Sequence, residues 1–196
     1  FTSDNGPEGA GTKGRTRGST GGLRGRKRWS HEGGIRVPGI ARWPSHIKPG
    51  TTSNVPVIGS DIFSTILAIA GADLPKDRVI DGADMRPALA GKPVKRSIPL
   101  YWRNHLAPAD NHVAMRIGDW KVVGDKELEK FQLYNIEEDW REEKDLALKM
   151  PEKLASMKAV LLKVHGEVEK EGPSEWWLNE PPRKRGKRAT ATRVQN

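Results

Sequence analysis

His112-Val113-Ala114-Met115-Arg116-Ile117-Gly118-Asp119-Trp120-Lys121-Val122-Val123 sets two apolar, β-branched runs on either side of Gly118-Asp119. A two-residue Gly/Asp connection between such runs marks a tight hairpin, because the turns that match strand twist need a residue at positive φ. The spacing predicts strands over 112–117 and 120–123. Phe131 to Tyr134 supplies another strand, so a small antiparallel sheet is expected. Upstream, Ile98-Pro99-Leu100-Tyr101-Trp102 also reads as a strand. Downstream, Pro151 suits the first turn of a helix in which Leu154, Met157, Leu161, Val164 and Val168 recur three and four residues apart. That spacing gives one apolar stripe, which should pack on the sheet.

Toward the N-terminus, Phe1-Thr2-Ser3 runs into Asp4-Asn5-Gly6-Pro7, a strand ending in a turn, and a glycine-rich loop continues to Gly25. Loops of this length are either functional or disordered. Ile35 to Trp43 mixes β-branched and aromatic residues and is read as extended, with Pro38 at a kink or edge. Ser60 or Asp61 can cap a helix whose Ile62, Phe63, Ile66, Leu67 and Ile69 are crowded enough for burial on more than one side, with Gly71 as its left-handed end. Asp81-Gly82 and Gly91-Lys92-Pro93 mark turns in the connection that follows. The fold class read from this order is α/β. Residues 1–105 should complete a mixed, largely parallel sheet flanked by helices, residues 106–172 a small antiparallel sheet with a packed helix, and residues 173–196 a basic, poorly ordered tail.

Hydrophobic residues make up 35% of the 196 and charged residues 30%, which suits a soluble protein with long surface loops. The longest apolar stretch, near Ile62 to Ala70, falls well short of the roughly 20 residues that cross a bilayer. There is no cysteine, so disulfides, thiolate metal sites and a cysteine nucleophile within the chain are excluded. The chain opens at Phe1 in what reads as the end of a strand, with neither an initiator Met nor a signal peptide, and a preceding part is expected. Residues 1–50 hold ten Lys/Arg against three Asp/Glu, and residues 183–196 hold six Lys/Arg and no acid. A basic N-terminal third suits an anionic ligand, whereas a basic terminal run is more often a solvated tail. With 6% aromatic residues and no base-stacking motif, nucleic acid is not the expected partner.

Asp4 and Asn5 offer a carboxylate and an amide oxygen on adjacent residues, both hard donors suited to Ca²⁺ or Mg²⁺. A plain Asn-Gly turn is the competing reading. Lys27 lies in Leu23-Arg24-Gly25-Arg26-Lys27-Arg28-Trp29, where a fixed ammonium could clamp an anionic ester beside a cation. A solvated basic loop would look the same. The five histidines show no metal-site spacing. His31, next to the Lys27 loop, and His105, after the strand at Trp102, could touch a substrate, or could be structural.

In order and spacing, Asp-Asn-Gly-Pro, Leu-Arg-Gly-Arg-Lys, Glu-Gly-Gly-Ile-Arg-Val-Pro, Arg-Trp-Pro and Lys-Pro-Gly resemble the second half of the sulfatase catalytic domain. Asp61, Thr65 and Gly71, then Asp81-Gly82, match its following helix and turn. Arg116 to Lys121 and Leu133 to Ile136, with Asp139 and Glu143, resemble its C-terminal sheet. The likeness runs from residue 1 to about 170, nearest to arylsulfatases and N-acetylgalactosamine-6-sulfatases. It implies an alkaline-phosphatase-like fold and a formylglycine-dependent sulfuric ester hydrolase acting on sulfated sugars or aryl sulfates. By the same resemblance, Asp4 and Asn5 match metal ligands for one divalent cation, usually Ca²⁺, and Lys27 matches the lysine that contacts the sulfate. Glu32, Gly33, Gly34 and Arg36 match a structural motif of close backbone approach and an ion pair. The Cys/Ser-x-Pro-x-Arg motif that yields formylglycine is not in this sequence, so the chain alone is expected to be inactive. Export to the periplasm or outside is implied by the family. A phosphatase or phosphodiesterase of the same superfamily and a non-catalytic polyanion-binding module are the alternatives.

Overall fold

The computed structural model describes residues 1–8, 18–108 and 110–172. Along them run α1 (Glu32–Ile35), α2 (Asp61–Ala70), α3 (Arg86–Leu89), β1 (Leu100–Arg103), β2 (Val113–Ile117), β3 (Trp120–Gly124), β4 (Phe131–Asn135) and α4 (Pro151–Glu171). The expected basic tail, with Trp176-Trp177, lies outside the described residues.

The four strands form one antiparallel sheet in the order β1-β2-β3-β4. Ile117 pairs with Trp120 across Gly118-Asp119, and Gly118 takes the positive φ of 57° that the turn demands. One face carries Val113, Met115, Val122 and Leu133, packed against Met157 and Leu161 of α4. The stripe read from the sequence is therefore the buried side of that helix, and Pro151 sits in its first turn. The opposite face is buried as well, by Ala114, Val123, Tyr134 and Ile136 with Trp102 alongside. Lys121, Gln132 and Tyr134 share this second face by strand alternation. Against it lies the segment 24–32, through Arg24 on Tyr134, His31 beside Gln132 and Glu32 on Lys121.

Of the two cap candidates Ser60 stands at the N-cap of α2, without a side-chain cap hydrogen bond, while the Asp61 carboxylate accepts the N–H groups of Ile58 and Ala83, both at 2.9 Å, and a two-pronged contact from Arg96 with both distances 2.6 Å. One expectation is corrected: α2 is not buried through its apolar residues. Ile62, Phe63, Ile66 and Ile69 are between 43 and 58% exposed, while Asp61, Ser64 and Thr65 are buried. The polar face faces inward because it satisfies loop backbone: Ser64 Oγ donates to Gly82 O at 2.8 Å, and Thr65 Oγ1 accepts from Met85 N at 2.9 Å. Gly82 passes so close that a Cβ there would lie 2.1 Å from Ser60 O.

Of the larger mixed sheet, the described residues hold one antiparallel bridge, Thr2 to Gly39, with reciprocal Phe1 and Ile40 backbone hydrogen bonds. The division expected at residue 105 falls between β1 and β2, which are paired from end to end. No described helix is long and apolar enough to cross a membrane.

Candidate functional site

Asp4 and Asn5 follow directly on the Thr2 to Gly39 bridge, and the turn they occupy is pinned from behind. Gly6 N donates to Gly34 O at 2.8 Å, so closely that a Cβ on Gly6 would fall 1.9 Å from Gly33 O. One residue on, Pro7 O accepts from Lys27 N at 2.9 Å. These two backbone contacts place residues more than twenty positions apart on one rim, and Asp4, Asn5 and Lys27 line a single open cleft of about 650 Å³, shared with Ser19, Thr20 and Arg36.

Within the cleft, the Asp4 carboxylate takes a hydrogen bond from Ser3 Oγ at 3.5 Å. The Lys27 amine sits 3.8 Å from Glu8 Oε2, and Arg28 reaches the other Glu8 oxygen at 3.2 Å. Asp4 and Asn5 supply a carboxylate and an amide oxygen, a donor set that fits a hard divalent cation. It is a partial set, because Ca²⁺ takes roughly six to eight oxygens. Among the described residues no cluster of three His, Asp or Glu side chains completes it.

The loop carrying Lys27 is fixed by a buried ionic cluster. Lys121 Nζ lies 2.8 Å from both Glu32 Oε1 and Glu142 Oε1, and all three side chains are almost without exposure. Glu142 Oε2 accepts Glu32 N at 2.7 Å. Burial pushes the Glu142 carboxyl above its ordinary range, against the pull of Lys121. Arg24 adds hydrogen bonds to Tyr134 Oη at 2.7 Å and Glu142 O at 2.9 Å, and Ser30 N donates to Asn111 Oδ1 at 3.0 Å. Arg36 lies 3.7 Å from Glu32, the ion pair expected of the structural motif. Gly33 and Gly34 also behave as read: a Cβ on either would strike loop carbonyls at 2.4 and 2.0 Å.

His31 is displaced from the substrate role considered for it. Its ring is wholly buried beside Trp29 and Tyr134, 3.2 Å from Gln132 Oε1, and it does not line the cleft. Burial, with Arg24 and Lys121 nearby, lowers its pKa to about 4, which keeps it neutral as packing material. His105 is exposed, on the β1 to β2 connection, and is not among the residues that line the cleft. Lys121, Glu142 and Arg24 were not singled out from the sequence. Their signal was the apolar residues at both parities of β2, β3 and β4, which indicate a sheet buried on both faces and something polar that must be neutralised between them.

Residues 25–170 match the family described as the C-terminal domain of N-sulphoglucosamine sulphohydrolase. The chain belongs to the sulfatase family. Human steryl-sulfatase is 48% identical over 95 residues, 47% of this chain and 16% of that protein. N-acetylgalactosamine-6-sulfatase of Sus scrofa is 42% identical over 110 residues, 56% of this chain and 21% of that protein. The crystal structure of Ps i-CgsB in complex with k-i-k-neocarrahexaose superposes with a TM-score of 0.68 at 32% identity, covering 80% of this chain and 34% of that one. The sulfatase chain thus spans between about a sixth and a fifth of these curated relatives. The alkaline-phosphatase-like fold expected of it is that of its structural neighbours.

Proposed function

We propose that the protein of which this sulfatase chain is part hydrolyses sulfate esters of sugars or aryl alcohols. The observation that carries the proposal is the convergence of Asp4, Asn5 and Lys27 on one cleft. In this reading Asp4 and Asn5 hold part of the shell of one divalent cation, and Lys27 clamps the sulfate and opposes its charge as the ester bond breaks. When bound, the cation supplies electrostatic stabilisation of the sulfate oxygens. The formylglycine nucleophile lies in a part of the protein outside this sequence, which has no Cys/Ser-x-Pro-x-Arg. Names of relatives that include a hexosamine sulfatase and a bound oligosaccharide favour a sugar substrate. Export from the cytoplasm belongs to the same proposal and is tested by cell fractionation.

The test is turnover of matched aryl sulfate and aryl phosphate by the full-length protein, with and without chelation. Sulfate should be preferred. Lys27→Ala should lower kcat by about 10²- to 10³-fold, the cost of losing one preorganised charge-stabilising group. Asp4→Asn should raise the cation concentration needed for half-maximal rate. Preference for phosphate, or wild-type rates in Lys27→Ala, overturns the assignment.

A further inference from the structure

Beside the cleft lies a second depression of about 470 Å³, lined by Gly22, Arg24, Arg141, Glu142 and Glu143. One loop forms the partition: Thr20, Gly21 and Leu23 face the first cleft, Gly22 and Arg24 the second. The two depressions therefore lie on either side of one short stretch of chain, residues 19–24. Gly21 and Gly22 have φ of 65° and 90°, and the Arg141 guanidinium lies against Gly22, within 3.5 to 3.7 Å of where a Cβ would stand.

Both arginines are held in place with charge to spare. Arg24 is fixed by neutral acceptors, Tyr134 Oη and the Glu142 carbonyl. The Glu142 carboxylate points elsewhere, to Lys121 and Glu32 N. Arg141 stacks over Trp140, with its guanidinium carbon 4.6 Å from the ring centroid, and its carboxylate neighbour, Glu143, is 3.9 Å away and mostly solvated. Stacked guanidinium groups are preorganised to fork onto planar or tetrahedral oxyanions.

We propose that this depression is an anion subsite that takes a second sulfate of a multiply sulfated glycan while the scissile sulfate occupies the Lys27 cleft. The inference rests on the sulfatase reading above and narrows its substrate class to glycans with more than one sulfate. Such a subsite contributes ground-state binding, so it acts on KM rather than kcat.

The experiment compares a disulfated hexosamine, its monosulfated counterpart and an aryl sulfate with the full-length protein, by turnover and by calorimetric binding. Arg141→Gln should weaken binding of the disulfated sugar and raise its KM about three- to tenfold, the range for one half-exposed charged contact. The monosulfated sugar and the aryl sulfate should be unaffected. Glu143→Gln should shift the disulfated sugar the opposite way, a gain that damaged folding cannot produce. Equal effects on all three ligands, or none on the disulfated one, overturn the subsite. Absence of turnover of all three sulfate esters by the wild type instead overturns the sulfatase reading, and the binding comparison still judges the anion subsite.

Discussion

Replacing Lys121 with Met removes the single cation between two carboxylates that have 0 and 4% side-chain exposure. At an effective dielectric near 20, each 2.8 Å contact is worth roughly 6 kcal/mol of gross attraction, most of it cancelled by the desolvation of three charged groups. What is left when the cation is deleted is a buried pair of like charges, offset only on the Glu32 side by the half-exposed Arg36 at 3.7 Å. Loss of one partner from such a site costs about 3–5 kcal/mol. The assay is urea unfolding of the full-length protein followed by tryptophan fluorescence, with Trp120 adjacent in sequence to the lesion. The deficit should be largest near neutral pH and should shrink in acid. Burial already raises the Glu142 carboxyl, and without Lys121 it must rise further. The folded state then binds more protons than the unfolded one between the ordinary and the raised carboxyl pKa, so stability falls as pH climbs through that window. Glu142→Gln in the Lys121→Met background should recover most of the loss. A cost below about 1 kcal/mol with no pH dependence would refute the coupling between the loop and the sheet, since any surface lysine could give that result.

Asp61→Asn should destabilise by about 2–4 kcal/mol through loss of the Arg96 ion pair. Burial raises the Asp61 carboxyl, but Arg96 and the Ala83 and Ile58 amides outweigh it and leave the pKa lowered, so the wild-type contribution is complete above the ordinary carboxylate range and lost as pH falls through the lowered value. Thermal melts across acid pH, wild type against variant, read this directly. Gly6→Ala should abolish cation-dependent activity, because the 1.9 Å approach to Gly33 O forces the Asp4 to Asn5 turn away from Lys27; retained activity would show that the turn tolerates displacement. His31 should show no imidazole titration by NMR from pH 8 down to about 5, and stability should drop by up to about 1.4 kcal/mol per unit as pH falls between its ordinary pKa and about 4. His31→Gln should remove that slope.

The hairpin, β4 and α4 were legible because turn chemistry and the three-four stripe act locally: Gly118 must adopt positive φ, and Met157 and Leu161 must leave water. The cleft residues were legible through order and spacing, not through any property of Asp4 or Lys27 alone. What was hidden obeys a different logic. Ile66 is exposed and Thr65 buried because the loop at 82–85 needs hydrogen-bond partners more than α2 needs to shed its apolar face within these residues, and periodicity cannot register that need. Lys121 carried no sign of its partners in the residues around it. Only the approach of Glu32 and Glu142, 89 and 21 residues away in the chain, makes it an interior group.

The segment 24–32, which carries Lys27, is held against the back of the small sheet, so a lesion far from the cleft can disturb it. A premature stop or a proteolytic cut ahead of β4 would leave every cleft residue in the polypeptide while removing Gln132, Tyr134 and Glu142, three of the groups that hold the loop down. Variants at Gln132, Tyr134 and Glu142 should therefore keep every cleft side chain in the polypeptide but lose their mutual alignment.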